Sequence, residues 1–303
     1  MTPDLSICIP TRMRPSLLSI TLRSIIEADL RPFEVVIGDN GGDPETKAII
    51  QHYSVQLPIC HVVHTPPLDY GGNLRSILLA AKADWVSVIH DDDFYLPNAG
   101  DGFRKSILNS DIDFLFTDHL VCSNDGHILA EESRINSARY HRTELKTGRI
   151  SMPMRAALLN QVCLDGWFCK RTLVQKASPS MRWPMFVDKQ YIFSFAIQSD
   201  NWAYLNEPTF VYRLTDTSLT RKGLPLDQLF SFYSELPISD PALIELRDNE
   251  LARIAPVAVS RWLKAGDRER ARACLHSKHY PLPISLRGMA KYGVSLLWSH
   301  LPL

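Results

Sequence analysis

Residues 85–97 constrain this chain more than any other stretch. An apolar run containing Val86, Val88 and Ile89 reads as a strand buried on both faces. It breaks at once into three adjacent carboxylates, Asp91, Asp92 and Asp93, before Pro97 offers a helix start. Acid therefore sits at the carboxyl end of a core strand, the edge of an open parallel sheet where ligands collect. Neighbouring carboxylates repel one another unless positive charge lies among them. A hard divalent cation carrying a diphosphate meets that requirement, because Mg²⁺ and Mn²⁺ prefer oxygen ligands and share carboxylates with substrate phosphates. The simpler reading is a solvated acidic turn in which one Asp caps the following helix.

The flanking segments supply the sheet. Residues 5–9 read as a buried strand ending at Pro10-Thr11-Arg12-Met13-Arg14-Pro15, and Leu17, Leu18, Thr21, Leu22, Ile25 and Ile26 then recur at helical spacing. A second strand over 33–38 ends in Asp39-Asn40-Gly41-Gly42-Asp43, a helix is expected over 44–53, and a third strand over 59–64. Asp69-Tyr70-Gly71-Gly72-Asn73 precedes a helix carrying Leu74, Ile77, Leu78 and Ala81. A helix start behind two glycines binds phosphate well, although a plain turn looks the same in sequence. The alternation predicts an α/β fold with a mostly parallel, doubly wound sheet flanked by helices.

After Pro97 a helix is expected to about residue 109, a strand over 112–117, and a hairpin turn at Asn124-Asp125-Gly126. From 133 to 155 the chain turns polar and basic, with Arg134, Arg139, His141, Arg142, Lys146, Arg149 and Arg155 and little periodicity. That reads as a long irregular substrate loop or a disordered excursion. A strand over 163–169, a helix opened by Asp188 and a strand over 210–213 complete the sheet region.

Charge is balanced, 33 basic against 33 acidic residues, which leaves no electrostatic footprint for nucleic acid. The six cysteines, Cys8, Cys60, Cys122, Cys163, Cys169 and Cys274, lack Cys-x-x-Cys spacing and read as reduced thiols rather than disulfides or a zinc site. The Met-Thr-Pro-Asp-Leu start has neither a basic lead nor an apolar signal core, and no run approaches the ~18 apolar residues of a membrane span. A cytoplasmic protein is expected, soluble or peripheral at the inner face of the cell membrane. Beyond Gly223 the pattern is helical only: one helix over 243–263 or two broken at Pro256, then 268–275 and 284–298. Lys and Arg outnumber acids from Arg261 onward. Beside Leu286, Met289, Tyr292, Leu296, Leu297 and Trp298 they suit a helix lying on an anionic membrane, although a helix packed on its own domain is the plainer reading.

Four ordered blocks, Ser6-Ile-Cys-Ile-Pro10-Thr11-Arg12-x-Arg14-Pro15, Glu34-Val-Val-Ile-Gly-Asp39, Gly71-Gly72-Asn73 and His90-Asp91-Asp92-Asp93-x-x-x-Pro97, resemble the family 2 glycosyltransferases of GT-A fold. The likeness runs from about residue 5 to 215. It implies a nucleotide-sugar-binding half over 1–98, an acceptor-binding half over 99–222 and a C-terminal helical region over 223–303. It also implies nucleotide contacts from Pro10, Thr11, Arg14, Asp39, Gly72, Asn73 and Asp91. A carboxylate suits Asp39, since it accepts two donors from an imide or a ribose. Asp92, assisted by Asp91, takes the place of the family's principal ligand to Mn²⁺ or Mg²⁺. His90 stands where many relatives have the first Asp, and Asp93 is left to cap or to meet a sugar hydroxyl.

Further on, Asp188 lies where relatives carry the catalytic base at a helix start, with Val187 replacing the usual Glu, so an N-cap role is its plainer alternative. Thr215 stands where relatives often have a histidine after the closing Arg. The resemblance therefore implies an inverting transfer from a nucleotide-diphosphate sugar, UDP favoured, to a hydroxyl of a glycan or lipid-linked saccharide. Asp165 is an alternative base, and Trp167, Trp183 and Tyr140 are candidate sugar platforms or core residues. Two rival readings are a nucleotidyltransferase, which would need a glycine-rich loop with a Lys after the first strand, and a non-catalytic nucleotide-sugar-binding or scaffold protein.

Overall fold

Apolar runs and short helices alternate from the first described residue onward. In this computed structural model, which describes residues 4–107, 111–215 and 223–281, they form β1 (Leu5–Thr11), α1 (Pro15–Glu27), β2 (Glu34–Asn40), α2 (Pro44–Tyr53), β3 (Ile59–His64), α3 (Tyr70–Ala80) and β4 (Trp85–Val88). There follow β5 (Phe94–Tyr95), α4 (Ala99–Ile107), β6 (Phe114–Cys122), α5 (Ala130–Arg139), β7 (Gly148–Ile150) and α6 (Pro153–Leu158). The series closes with β8 (Phe168–Lys170), α7 (Arg171–Lys176), α8 (Val187–Gln198) and β9 (Trp202–Arg213). The chain divides into two units, Met1–Ser218 and Leu219–Leu303.

In the first unit the sheet order is β3-β2-β1-β4-β8-β6-β9-β5, with β7 also on β9. The block from β3 to β4 is parallel throughout. The short β8 runs antiparallel to both β4 and β6, which returns β6 and its parallel partner β9 to the common direction. The sheet is thus mostly parallel, as expected. Every residue of β1 and β2 is buried, which is why both read as uninterrupted apolar runs. Helix starts follow ordinary capping: Asp43 accepts from the Thr46 amide at 2.8 Å and Asp69 from the Gly72 amide at 2.7 Å. Gly38 on β2 admits α3 closely, since a Cβ there would run into the Asn73 side chain, whose amide donates to the Gly38 carbonyl at 3.0 Å.

Three expectations are corrected. The segment 133–155 is no irregular loop: α5, β7 and the start of α6 lie in it. Its organiser is Arg142, 1% exposed, which donates to Asp118 at 3.0 Å and to the Asn136 side chain at 2.6 Å. A buried cation in place of an apolar stripe leaves no periodicity to read. Burial, and then the neighbouring Arg142 charge, push His119 down to about 3, so its imidazole is neutral. Of the strand expected over 163–169, only residues 168 and 169 are extended, as the start of β8. Strand β9 begins eight residues earlier than expected because Asn206, Glu207 and Pro208, opposite a register shift at Asp118, disguise its middle.

The second unit holds α9 (Leu226–Ser234), α10 (Pro241–Lys264) and α11 (Arg268–Leu275). Helix α10 runs through Pro256 unbroken. The expected amphipathic helix over 284–298 lies outside the described residues. Among those described, no helix is long and apolar enough to cross a membrane.

Breaking a buried ion pair leaves a charge without its partner. Arg142→Ala is expected to destabilise the protein by about 3 kcal/mol, read from the shift in its urea midpoint; an unchanged midpoint would remove Arg142 as organiser of this segment.

Candidate active site

The carboxyl ends of β1, β2 and β4 meet at one edge of the sheet. Register places Thr11 beside Asp39, and the amide of Ile89 donates to Cys8 at 3.1 Å, so the acidic run leaves β4 level with Pro10. Asp39 is 1% exposed. His61 Nε2 lies 3.0 Å from its Oδ2, and its Oδ1 is buried without a hydrogen-bond partner. A buried acceptor without a donor is unfavourable by itself and suits a ligand N–H or hydroxyl.

The three aspartates separate by their partners. Asp91 accepts from the Thr11 hydroxyl at 2.7 Å and from Arg14 Nη1 at 3.2 Å, and the same nitrogen reaches Asp92 Oδ2 at 2.9 Å. Burial, and then Asp92, push the Asp91 carboxyl up to about 6 against the pull of Arg14. Asp93 accepts the Arg213 amide at 2.7 Å through Oδ1, while its Oδ2 is buried with no donor. Burial and then Asp165 hold Asp93 well above the usual carboxylate range. Burial would raise Asp165 too, but His90 and then Asp93 bring it below that range.

His90 joins this cluster to Asp188. Its Nδ1 lies 3.4 Å from Asp165 Oδ2 and its Nε2 lies 3.0 Å from the Tyr70 hydroxyl, which donates to Asp188 Oδ2 at 3.2 Å. Burial would lower the His90 imidazole, yet Asp165, Asp92, Asp188 and Asp91 around it raise it. Asp188 lies at the second position of α8 and its Oδ1 accepts from the Lys189 amide at 2.7 Å, so it is not the N-cap. Burial raises its carboxyl, against Lys189, His90 and Tyr70.

The other expected site residues fall into place or are displaced. Pro10, Thr11, Arg14, Asp39, Asp91, Asp92 and Asp188 are brought together around the edge. The Gly72 amide is used by the Asp69 cap and the Asn73 amide by Gly38, so both fix α3 through those groups. Of its two expected roles Trp167 takes the core one: it is 2% exposed, packs on Phe114 and Phe195, and donates to the Leu164 carbonyl at 3.0 Å, so it is no sugar platform. Trp183 is likewise buried, its ring covered by Arg182 at 4.7 Å. Asp165 is buried beside His90 and supports it from within. Tyr70 and Arg213 escaped the sequence reading. The signal for Arg213 was its place at the end of the closing strand; Tyr70 had none beyond its neighbouring glycines.

A metal fits the donor set. Ligand atoms on His90, Asp92 and Asp93 lie within 4.8 Å of one another, and Asp91 and Asp92 already share one cationic nitrogen of Arg14. Both nitrogens of His90 are taken up by Tyr70 and Asp165, which leaves the carboxylates as the residues that would hold Mn²⁺ or Mg²⁺.

Residues 6–158, half of the chain, match the family described as glycosyl transferase family 2. The chain belongs to that family. Among family relatives, the Pasteurella multocida chondroitin synthase is 38% identical over 93 residues, 29% of this chain and 9% of its own length. A Campylobacter jejuni protein named GalNAc(5)-diNAcBac-PP-undecaprenol beta-1,3-glucosyltransferase is 28% identical over 101 residues, 32% of each chain. The chain thus aligns with a third or less of either relative. In fold it is similar to S. aureus TarS (TM-score 0.62, 12% identity, 97% of this chain and 79% of that one). It is also similar to a mannosyltransferase from Pyrobaculum calidifontis solved with GDP-Man and Mn²⁺ (TM-score 0.61, 15% identity, 99% and 81%). The GT-A fold is therefore shared.

Gly166, at φ +70°, brings Asp165 under His90, and a Cβ there would run into the Phe210 ring. Gly166→Ala is expected to destabilise the protein by about 3 kcal/mol through strain and overpacking. A melting temperature equal to wild type would show that the Asp165 loop tolerates a side chain there.

Proposed function

We propose that this chain is an inverting, metal-assisted glycosyltransferase that moves a sugar from a nucleotide-diphosphate sugar, with UDP favoured, to a hydroxyl of a glycan or lipid-linked saccharide. The observation that carries the reading is the joining of Asp188 to the acidic edge through Tyr70 and His90, at 3.2 and 3.0 Å. A base and a diphosphate-binding edge on one short path are what in-line displacement at a sugar carbon needs.

Asp39 Oδ1 accepts a donor from the base or ribose, Thr11 and Arg14 line the path to the diphosphate, and Asp188 takes the acceptor proton as the hydroxyl oxygen bonds to the anomeric carbon. The bond from that carbon to the diphosphate oxygen breaks on the opposite face, so the configuration inverts. Asp92 and Asp91 would hold a Mn²⁺ or Mg²⁺, which when bound would supply charge stabilisation for a leaving diphosphate. The raised carboxyl of Asp188 suits a base that works nearer neutral pH. The relatives support the donor and acceptor classes: S. aureus TarS was solved with UDP-GlcNAc, and the Campylobacter relative is named for an undecaprenol-linked saccharide.

Asp188→Asn is expected to keep nucleotide affinity and to lower turnover by about 10²–10⁴-fold, the usual worth of general-base help. Asp92→Asn is expected to lose turnover and weaken nucleotide binding together. Release of nucleoside diphosphate from UDP-GlcNAc, UDP-glucose and GDP-mannose, with calorimetric UDP binding alongside, reads both. A near-normal rate in Asp188→Asn would end its assignment as the base.

A further inference from the structure

We propose that Tyr70 is a positioning residue for Asp188: its hydroxyl orients the carboxylate toward the acceptor and is itself held in place by the His90–Asp165 pair. The inference rests on the reading of Asp188 as the base.

A tyrosine hydroxyl has one proton to give. Here it goes to Asp188 Oδ2 at 3.2 Å. The 3.0 Å contact with His90 Nε2 can then be a hydrogen bond only if the imidazole donates to the Tyr70 oxygen. Asp165, 3.4 Å from Nδ1, fixes the ring from its far side. The departure at position 90 gains a purpose from this geometry. An Asp there would accept from Tyr70 and draw its proton away from Asp188, whereas His90 returns a donor and leaves that proton pointing at the base.

The two helices that carry the pair are also locked together at their starts. Tyr70 is the first residue of α3, and a Cβ on the next residue, Gly71, would stand 2.9 Å from the Pro184 carbonyl in the turn that leads into α8. Close backbone approach at Gly71 thus fixes the separation that the Tyr70 hydroxyl spans. Donation to Asp188 favours its charged form. Losing it raises the pH at which the base becomes available.

The test compares wild type, Tyr70→Phe and Asp188→Asn by release of nucleoside diphosphate from UDP-GlcNAc, UDP-glucose, UDP-GalNAc and GDP-mannose with Mn²⁺, across pH. Tyr70→Phe is expected to lower kcat by roughly ten- to hundredfold, the worth of one hydrogen bond to a charged group. KM for the donor should stay unchanged, and the acid limb of the kcat profile should move to higher pH. Wild-type kcat and limb in Tyr70→Phe, with Asp188→Asn inactive, would overturn the role of Tyr70 and leave the base reading standing. A wild-type rate in Asp188→Asn, or no release from any donor, would overturn the base reading and this inference with it. Should Tyr70→Phe melt before assay, His90→Leu, which frees the Tyr70 hydroxyl, takes its place: a wild-type kcat and limb there would overturn the inference equally.

Discussion

Carboxylates crowded at the end of β4 repel, and two unit charges 4 Å apart near a protein surface oppose each other by about 4 kcal/mol. Arg14, His90, the Arg213 amide and the Thr11 hydroxyl stand among them and make the cluster tolerable. Those groups come from the loop before α1, the end of β4, the end of β9 and the end of β1. Asp165 arrives from the turn before β8. The acidic edge is therefore where distant parts of the chain must agree in position, and the sheet is the frame that lets them agree. Arg213 illustrates the economy of this: its amide serves Asp93, its Nε donates to the Asp92 carbonyl at 2.8 Å, and its guanidinium lies 5.4 Å from the Phe94 ring.

The departures from the family pattern have physical counterparts. Val187 is fully buried at the start of α8, so this chain fills with a hydrophobe the place where many relatives carry Glu. Thr215 sets its hydroxyl 3.4 Å from Asp92 Oδ2, a polar contact of shorter reach than a histidine would make. His90 exchanges an acidic position for a donor that faces Tyr70 and Asp165. Of the three, His90 lies within the residues that match glycosyl transferase family 2, and Val187 and Thr215 lie beyond them.

Much of the fold was legible because its signal is local. Strands β1, β2 and β4 are buried along their length, so hydropathy alone finds them, and α2, β3 and α11 fall where periodicity puts them. The segment around Arg142 was illegible because its core is a cation bound by Asp118, Asn136 and the Gln161 carbonyl, residues that read singly as surface. The site divides in the same way. Asp39, Asp91 and Asp92 announce themselves as acids after apolar runs. Tyr70 acquires meaning only through Asp188, which lies 118 residues away, and Trp167 reads as platform or core until Phe114 and Phe195 are seen against it. Long-range pairing carries no mark in a single sequence.

In the proposed function the acidic edge holds a nucleotide sugar through a metal. A thermal-shift panel of UDP-, GDP-, dTDP- and CMP-sugars, with and without Mn²⁺, on wild type and Asp92→Ala addresses it directly. Ligand at a hundredfold excess over Kd stabilises the folded state by about 2.7 kcal/mol, which moves the melting temperature measurably. The account predicts a Mn²⁺-dependent rise for one nucleotide, lost in Asp92→Ala. No rise with any donor, or a rise that survives Asp92→Ala unchanged, would contradict it.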